Sequence, residues 1–189
     1  MDTPLDRLEA IDPRSGDVNV VVDTPRGSPI KFKYDEERRV FTIARFLPSG
    51  LVFPFDFGFV PGTRAEDGDA LDVVLLMEGP AFPGCVVSAR LLGVLEAKQK
   101  KKRRIVRDDR LIAAASDSRA FAGVRNLRDL GREAVDGIER FFVDSNRVGE
   151  RRFQALGRFG VARARAILRR SLPASTGRTE GRRSSPVRK

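Results

Sequence analysis

The sequence predicts a mainly β protein of the α+β kind, a closed or nearly closed barrel followed by two helices on its C-terminal side. Three observations predict it. Short β-type runs fill residues 17 to about 115. Pro, Gly and charged turns separate them. The hydrophobic period then changes from about 2 to about 3.6, beyond residue 131.

In chain order the strand runs are VNVVVDT, PIKFKYD, VFTIARF, ALDVVLLM, GCVVSARLLGVLEA and RLIAAA. In PIKFKYD, Ile30, Phe32 and Tyr34 alternate with Lys31 and Lys33, which is the pattern of a strand with one polar face. Several short strands with tight connections suit a barrel. REAVDGIERFFVDSNRV places Val135, Ile138, Phe141 and Phe142 at helical spacing. VARARAILRRSL does the same with Val161, Ala164, Leu168 and Leu172, and its arginines read as a solvated face.

At 189 residues the length suits one domain, read as residues 1–172, with 173–189 a basic and disordered tail. The formal charge is +10 and there is no histidine, which excludes imidazole zinc sites and Ser-His or Cys-His nucleophiles. Cys85 is the sole cysteine, so no intrachain disulfide forms, and this fits a reducing cytoplasm. The acidic start lacks the basic and apolar regions of a signal peptide, and no apolar run reaches membrane-spanning length. The expectation is a soluble cytoplasmic protein. Positive charge concentrates in KQKKKRR (98–104) and near the C-terminus. That run contains no aromatic to stack on bases, which argues against a single-strand nucleic-acid binder.

The chemistry concentrates in FPFDFGFVPGTRAEDGDALDVV, residues 53–74. Asp67, Asp69 and Asp72 crowd together, and like charges this close repel unless a cation lies between them. Asp67 and Asp69 share a direction in an extended chain; Asp72 joins them only if the chain bends near Gly68 and Ala70. Carboxylate oxygens suit Mg²⁺ or Mn²⁺. An EF-hand counted from Asp67 to Glu78 fails, because Asp72 stands where the loop needs glycine. By itself, the string also suits a solvated acidic turn.

With its flanks VVVDTPRGSPIKF, ARF, PGCVVSARLLGVLE and DDRLIAAA, this stretch resembles the soluble family I inorganic pyrophosphatases over roughly residues 18 to 170. The resemblance implies an OB-like five-stranded β-barrel with helices packed outside, and Mg²⁺-dependent hydrolysis of pyrophosphate. For bacterial members it also implies a homo-oligomer, often a hexamer. By position, Asp67, Asp72 and Asp108 would bind metal, and Asp69 would orient or deprotonate the attacking water. Lys31, Arg45 and Arg110 would hold phosphate oxygens, and Asp23 matches an acidic position beside the site.

Several positions depart from the family. Lys33 stands where the family has a glutamate, and Gln99 falls where it has a further metal-binding aspartate. Arg110 replaces a lysine, which keeps charge and changes shape. Phe53 and Phe57 replace tyrosines, and a Tyr-Lys pair falls on Ser145 and Asn146. Three readings follow: a divergent pyrophosphatase of reduced activity, an impaired member that binds a phosphate-rich ligand or regulates a partner, and a nucleic-acid binder. The retained aspartates favour the enzyme, since buried like charges are costly without a counter-ion.

Overall fold

The computed structural model describes residues 5, 8–101, 104–147 and 152–173. The first strand, β1 (Val18–Thr24), pairs antiparallel with β4 (Asp56–Val60), and β4 with β5 (Leu71–Leu76). Next, β5 pairs in parallel with β8 (Arg110–Ala115), and β8 antiparallel with the 16-residue β6 (Val86–Lys101). Because β6 also pairs with β1, these five strands close into a ring. Closure removes the exposed sheet edges that an open array would leave. The far half of β6 carries β7 (Arg104–Arg107) and β9 (Phe153–Gly160). Outside the ring, β2 (Ile30–Asp35) and β3 (Val40–Phe46) form a separate two-stranded ribbon.

Alternation feeds two cores. Val18, Val20, Val22, Val73, Leu75, Leu111 and Ala113 join one cluster with Ala164, Ile167 and Leu168 of α2 (Val161–Ser171). Val74, Ile112 and Ala114 face another, filled by Phe53, Phe55 and Phe57 and by Ile138, Phe141 and Phe142 of α1 (Arg132–Ser145). Both faces of β8 are therefore buried, which suits a strand made wholly of Leu, Ile and Ala after its first residue.

The sequence runs coincide with β1, β3 and β8 and locate β2, β5, β6 and both helices to within a few residues. Three strands are not foreseen. β4 contains Asp56 and Gly58, and β9 reads FQALGRFG, so neither carries a strand's usual composition; both form because tertiary partners take their backbone hydrogen bonds. The basic run 98–104 is split between β6 and β7, with residues 102–103 outside the described residues. The predicted tail also lies outside them, apart from Pro173.

Candidate active site

A cleft of about 590 Å³ opens between the ribbon and the end of the barrel. The parallel β5–β8 register sets Asp72 opposite Arg110. Asp108 lies two residues before Arg110 and so shares its face. Asp109 has the other parity and leaves the cleft: its carboxylate accepts from the Ala97 N–H at 3.0 Å and pairs with Arg107 at 2.9 Å. Arg107 also meets the buried Glu96 at 2.7 Å, and Arg163 of α2 bonds the same glutamate.

The acidic loop turns at Gly68, whose φ of 86° a side chain would resist. The Asp69 N–H donates to Asp67 Oδ1 at 3.1 Å, and the Ala65 N–H to the Asp69 carbonyl at 2.8 Å. This turn brings Asp67 and Asp69 to the same cleft as Asp72. On the ribbon, Lys31 and Arg45 are cross-strand partners, and the register shifts just beyond them. Two cations placed directly opposite repel unless anionic groups lie near. The cleft holds both, together with Asp23, Lys33 and Gln99.

Phe57, Ser145 and Asn146 do not line the cleft but support it. Lys31 Nζ lies 4.7 Å from the Phe57 ring centroid, so the ring that lacks a phenol serves as a cation–π platform. Ser145 ends α1, and its carbonyl accepts from Arg45 Nη1 at 2.6 Å, which supplies a cation to a helix whose last turn has no basic residue. Gln99 donates to Asn146 Oδ1 at 3.2 Å, and both are buried. Phe53 does not line the cleft either and is buried in the core, its ring centroid 4.9 Å from that of Phe141. Glu78 serves as a cap elsewhere: it accepts from the Arg119 and Ala120 N–H groups, and hydrogen bonds from Ala120 and Ser118 hold its pKa down at about 2.

Sequence reasoning missed Asp35, Glu36, Glu37 and Arg64, which complete the cleft wall. DEE follows the KFK string after one residue, Tyr34, so its adjacency to a site strand was the available signal. Eight carboxylates and five cations line the cleft, an acidic excess on a chain whose net charge is +10.

Burial governs the electrostatics. Asp23 is pushed up to about 7 by burial, against the pull of Lys31. Asp72 is also raised, by burial first, with Arg110 and Lys31 opposing and Asp108 and Asp67 reinforcing. Burial acts to lower Arg110, but the carboxylates of Asp108 and Asp72 outweigh it and raise the guanidinium.

The donor set fits a divalent cation. The carboxylates are hard ligands in acidic excess, and Asp23 Oδ1 is buried at the cleft without a hydrogen-bond partner. Among the described residues no three acidic side chains converge on one point, because Arg110 lies between Asp72 and Asp108.

Together these features define a class: a five-strand closed barrel, clad by two helices, with an acidic cleft interleaved with lysine and arginine at one end. The comparisons narrow it. The family model described as inorganic pyrophosphatase matches residues 20–174. An inorganic pyrophosphatase from a Nostoc species is 33% identical over 170 residues, covering 90% of this chain and 98% of that one. One from Halalkalibacterium halodurans is 37% identical over 133 residues, covering 70% and 78%. The crystal structure of inorganic pyrophosphatase from Thermus thermophilus superposes with a TM-score of 0.83 at 27% identity, covering 90% and 97%. The chain belongs to the inorganic pyrophosphatase family.

Proposed function

We propose that the chain hydrolyses inorganic pyrophosphate to two phosphates with the help of Mg²⁺, Mn²⁺ being the alternative ion. The observation that carries this reading is the cleft: ten residues singled out in the sequence line one cavity, in a chain matched to the family over residues 20–174. Asp67, Asp72 and Asp108 would hold the divalent cation, with Asp23 behind them. When bound, that cation supplies charge against the substrate's phosphates and lowers the pKa of water in the site.

The chain's own groups do the rest. Lys31, fixed over Phe57, and Arg45, fixed at the end of α1, present positive charge from one face of the ribbon. Asp69 is the base: it takes a proton as the water oxygen bonds to phosphorus, and the bridging P–O bond breaks with its electrons leaving on the departing phosphate. Lys33 Nζ donates to Asp69 Oδ1 at 2.7 Å and so holds that carboxylate in place in the cleft.

The domain is proposed as residues 1–172, with the basic tail beyond it, acting in the cytoplasm as a homo-oligomer, a hexamer by resemblance. Among the described residues, no helix is long and apolar enough to cross a membrane. The test is phosphate release from pyrophosphate with Mg²⁺ or Mn²⁺. The expected result is turnover that Asp69→Asn lowers by a factor of about 100 or more, the usual contribution of a positioned base; equal release by the two proteins would refute the assignment.

A further inference from the structure

Arg110 is held more firmly than a residue reaching for a phosphate requires. Its Nη1 and Nη2 donate to the two oxygens of Asp108 at 2.8 and 2.7 Å, and Nη1 also bonds Asp72. Its Cζ lies 5.5, 5.3 and 5.8 Å from the ring centroids of Phe57, Phe142 and Phe153. The side chain is only 7% exposed, and Nε is buried without a partner. A planar fork matched to a carboxylate and surrounded by three aromatic rings is a cation fixed in place. Lys33 does similar work nearer the solvent, with its ammonium 2.7 Å from Asp69.

We infer that Arg110 and Lys33 are resident cations that hold Asp72, Asp108 and Asp69 where divalent ions would otherwise bind, so that the chain takes up fewer or weaker divalent ions than its carboxylates could hold. The inference rests on the proposed reading of the cleft as a divalent-cation site. The physical reason is competition: an ion entering between Asp72 and Asp108 must displace a desolvated, bidentate guanidinium, so the guanidinium's own binding opposes uptake. A lysine at 110 would keep the charge but lose the fork and the planar stacking, and its ammonium would yield the carboxylates more readily. The Phe rings are part of the same device, because an aromatic face attracts the cation wherever it lies within about 6 Å.

The test is a Mn²⁺ titration of the metal-free full chain, read by calorimetry and by electron paramagnetic resonance, for the wild type, Arg110→Lys and Lys33→Gln. Arg110→Lys is expected to bind one more Mn²⁺ per chain, or to bind its ions at least tenfold more tightly. Its melting temperature should fall in chelator and be raised by Mn²⁺ more than the wild type's. An Arg110→Lys chain that folds and titrates like the wild type overturns the inference. Lys33 is half-exposed, so Lys33→Gln folds in any case; if Arg110→Lys does not fold, a wild-type titration by Lys33→Gln overturns it instead. Phosphate release, measured separately, distinguishes the two claims. A wild type that hydrolyses pyrophosphate while its variants titrate unchanged defeats only this inference. Variants that gain Mn²⁺ in a chain without hydrolysis defeat only the reading of the activity.

Discussion

Asp23 shows how one residue can serve a site and burden the fold. Its carboxyl is 4% exposed, with Oδ1 unpartnered, and burial lifts it from 3.8 to about 7 against the pull of Lys31. Lys31, Asp72 and Arg110 are the charged groups that act on it. With the folded value above the unfolded one, the native state keeps its proton while the unfolded chain loses it. Stability contributed by this residue therefore falls as pH rises from about 4 to about 7. In metal-free buffer, Asp23→Asn should flatten that slope and gain on the order of a few kcal/mol above pH 7, checked by urea unfolding at pH 5 and pH 8. A slope unchanged by the substitution would show that Asp23 does not titrate in this window. Phe57 makes the complementary point: as a lost phenol it reads as damage, yet its ring supports both Lys31 and Arg110.

Strand β4 links the aromatic string to the barrel. Phe57 faces the core beside α1, Phe59 packs against Tyr34, and Gly58 between them lies against β1. A Cβ on Gly58 would stand 2.1 Å from the Val21 carbonyl oxygen, a backbone atom that cannot move without breaking the β1–β4 ladder. Gly58→Ala is expected to cost about 3 kcal/mol or more, read as a lower urea midpoint at unchanged m-value. Helix α2 reaches the site by a longer route. Arg163 and Arg107 share Glu96, and Arg107 pairs with Asp109, the residue between Asp108 and Arg110. The arginines that read as a solvated face thus include one that anchors the strand carrying the site.

Over the whole molecule, eight carboxylates against five cations are gathered in one cleft of a chain whose net charge is +10, so the cleft draws cations first, and a bound divalent cation would turn its charge toward an anionic substrate. Large apolar side chains also remain at the surface, with Phe46 70%, Phe82 68% and Ile43 56% exposed. Exposed rings of this size suit a contact between subunits. The proposed homo-oligomer predicts a solution mass that is a multiple of the 21.0 kDa chain, sixfold for a hexamer, measured by light scattering; a monomer at micromolar concentration would remove that proposal.

By itself the sequence determined what local pattern can encode. Alternation located the strands that combine β-branched or aliphatic residues with clear ends, helical spacing located α1 and α2, and a short acidic string after an aromatic run marked the cleft. It also showed which charges were exchanged, such as Lys33 and Gln99, but not where they point. Only the tertiary structure made strands of DFGFV and FQALGRFG, because their hydrogen-bond partners are distant in the chain. Only it paired Asp72 with Arg110 across a parallel ladder and closed three phenylalanines around that arginine. The reason is physical: a period of 2 or 3.6 fixes which way a side chain faces, whereas the groups that neutralise a buried charge come from whichever strands the closed ring makes neighbours.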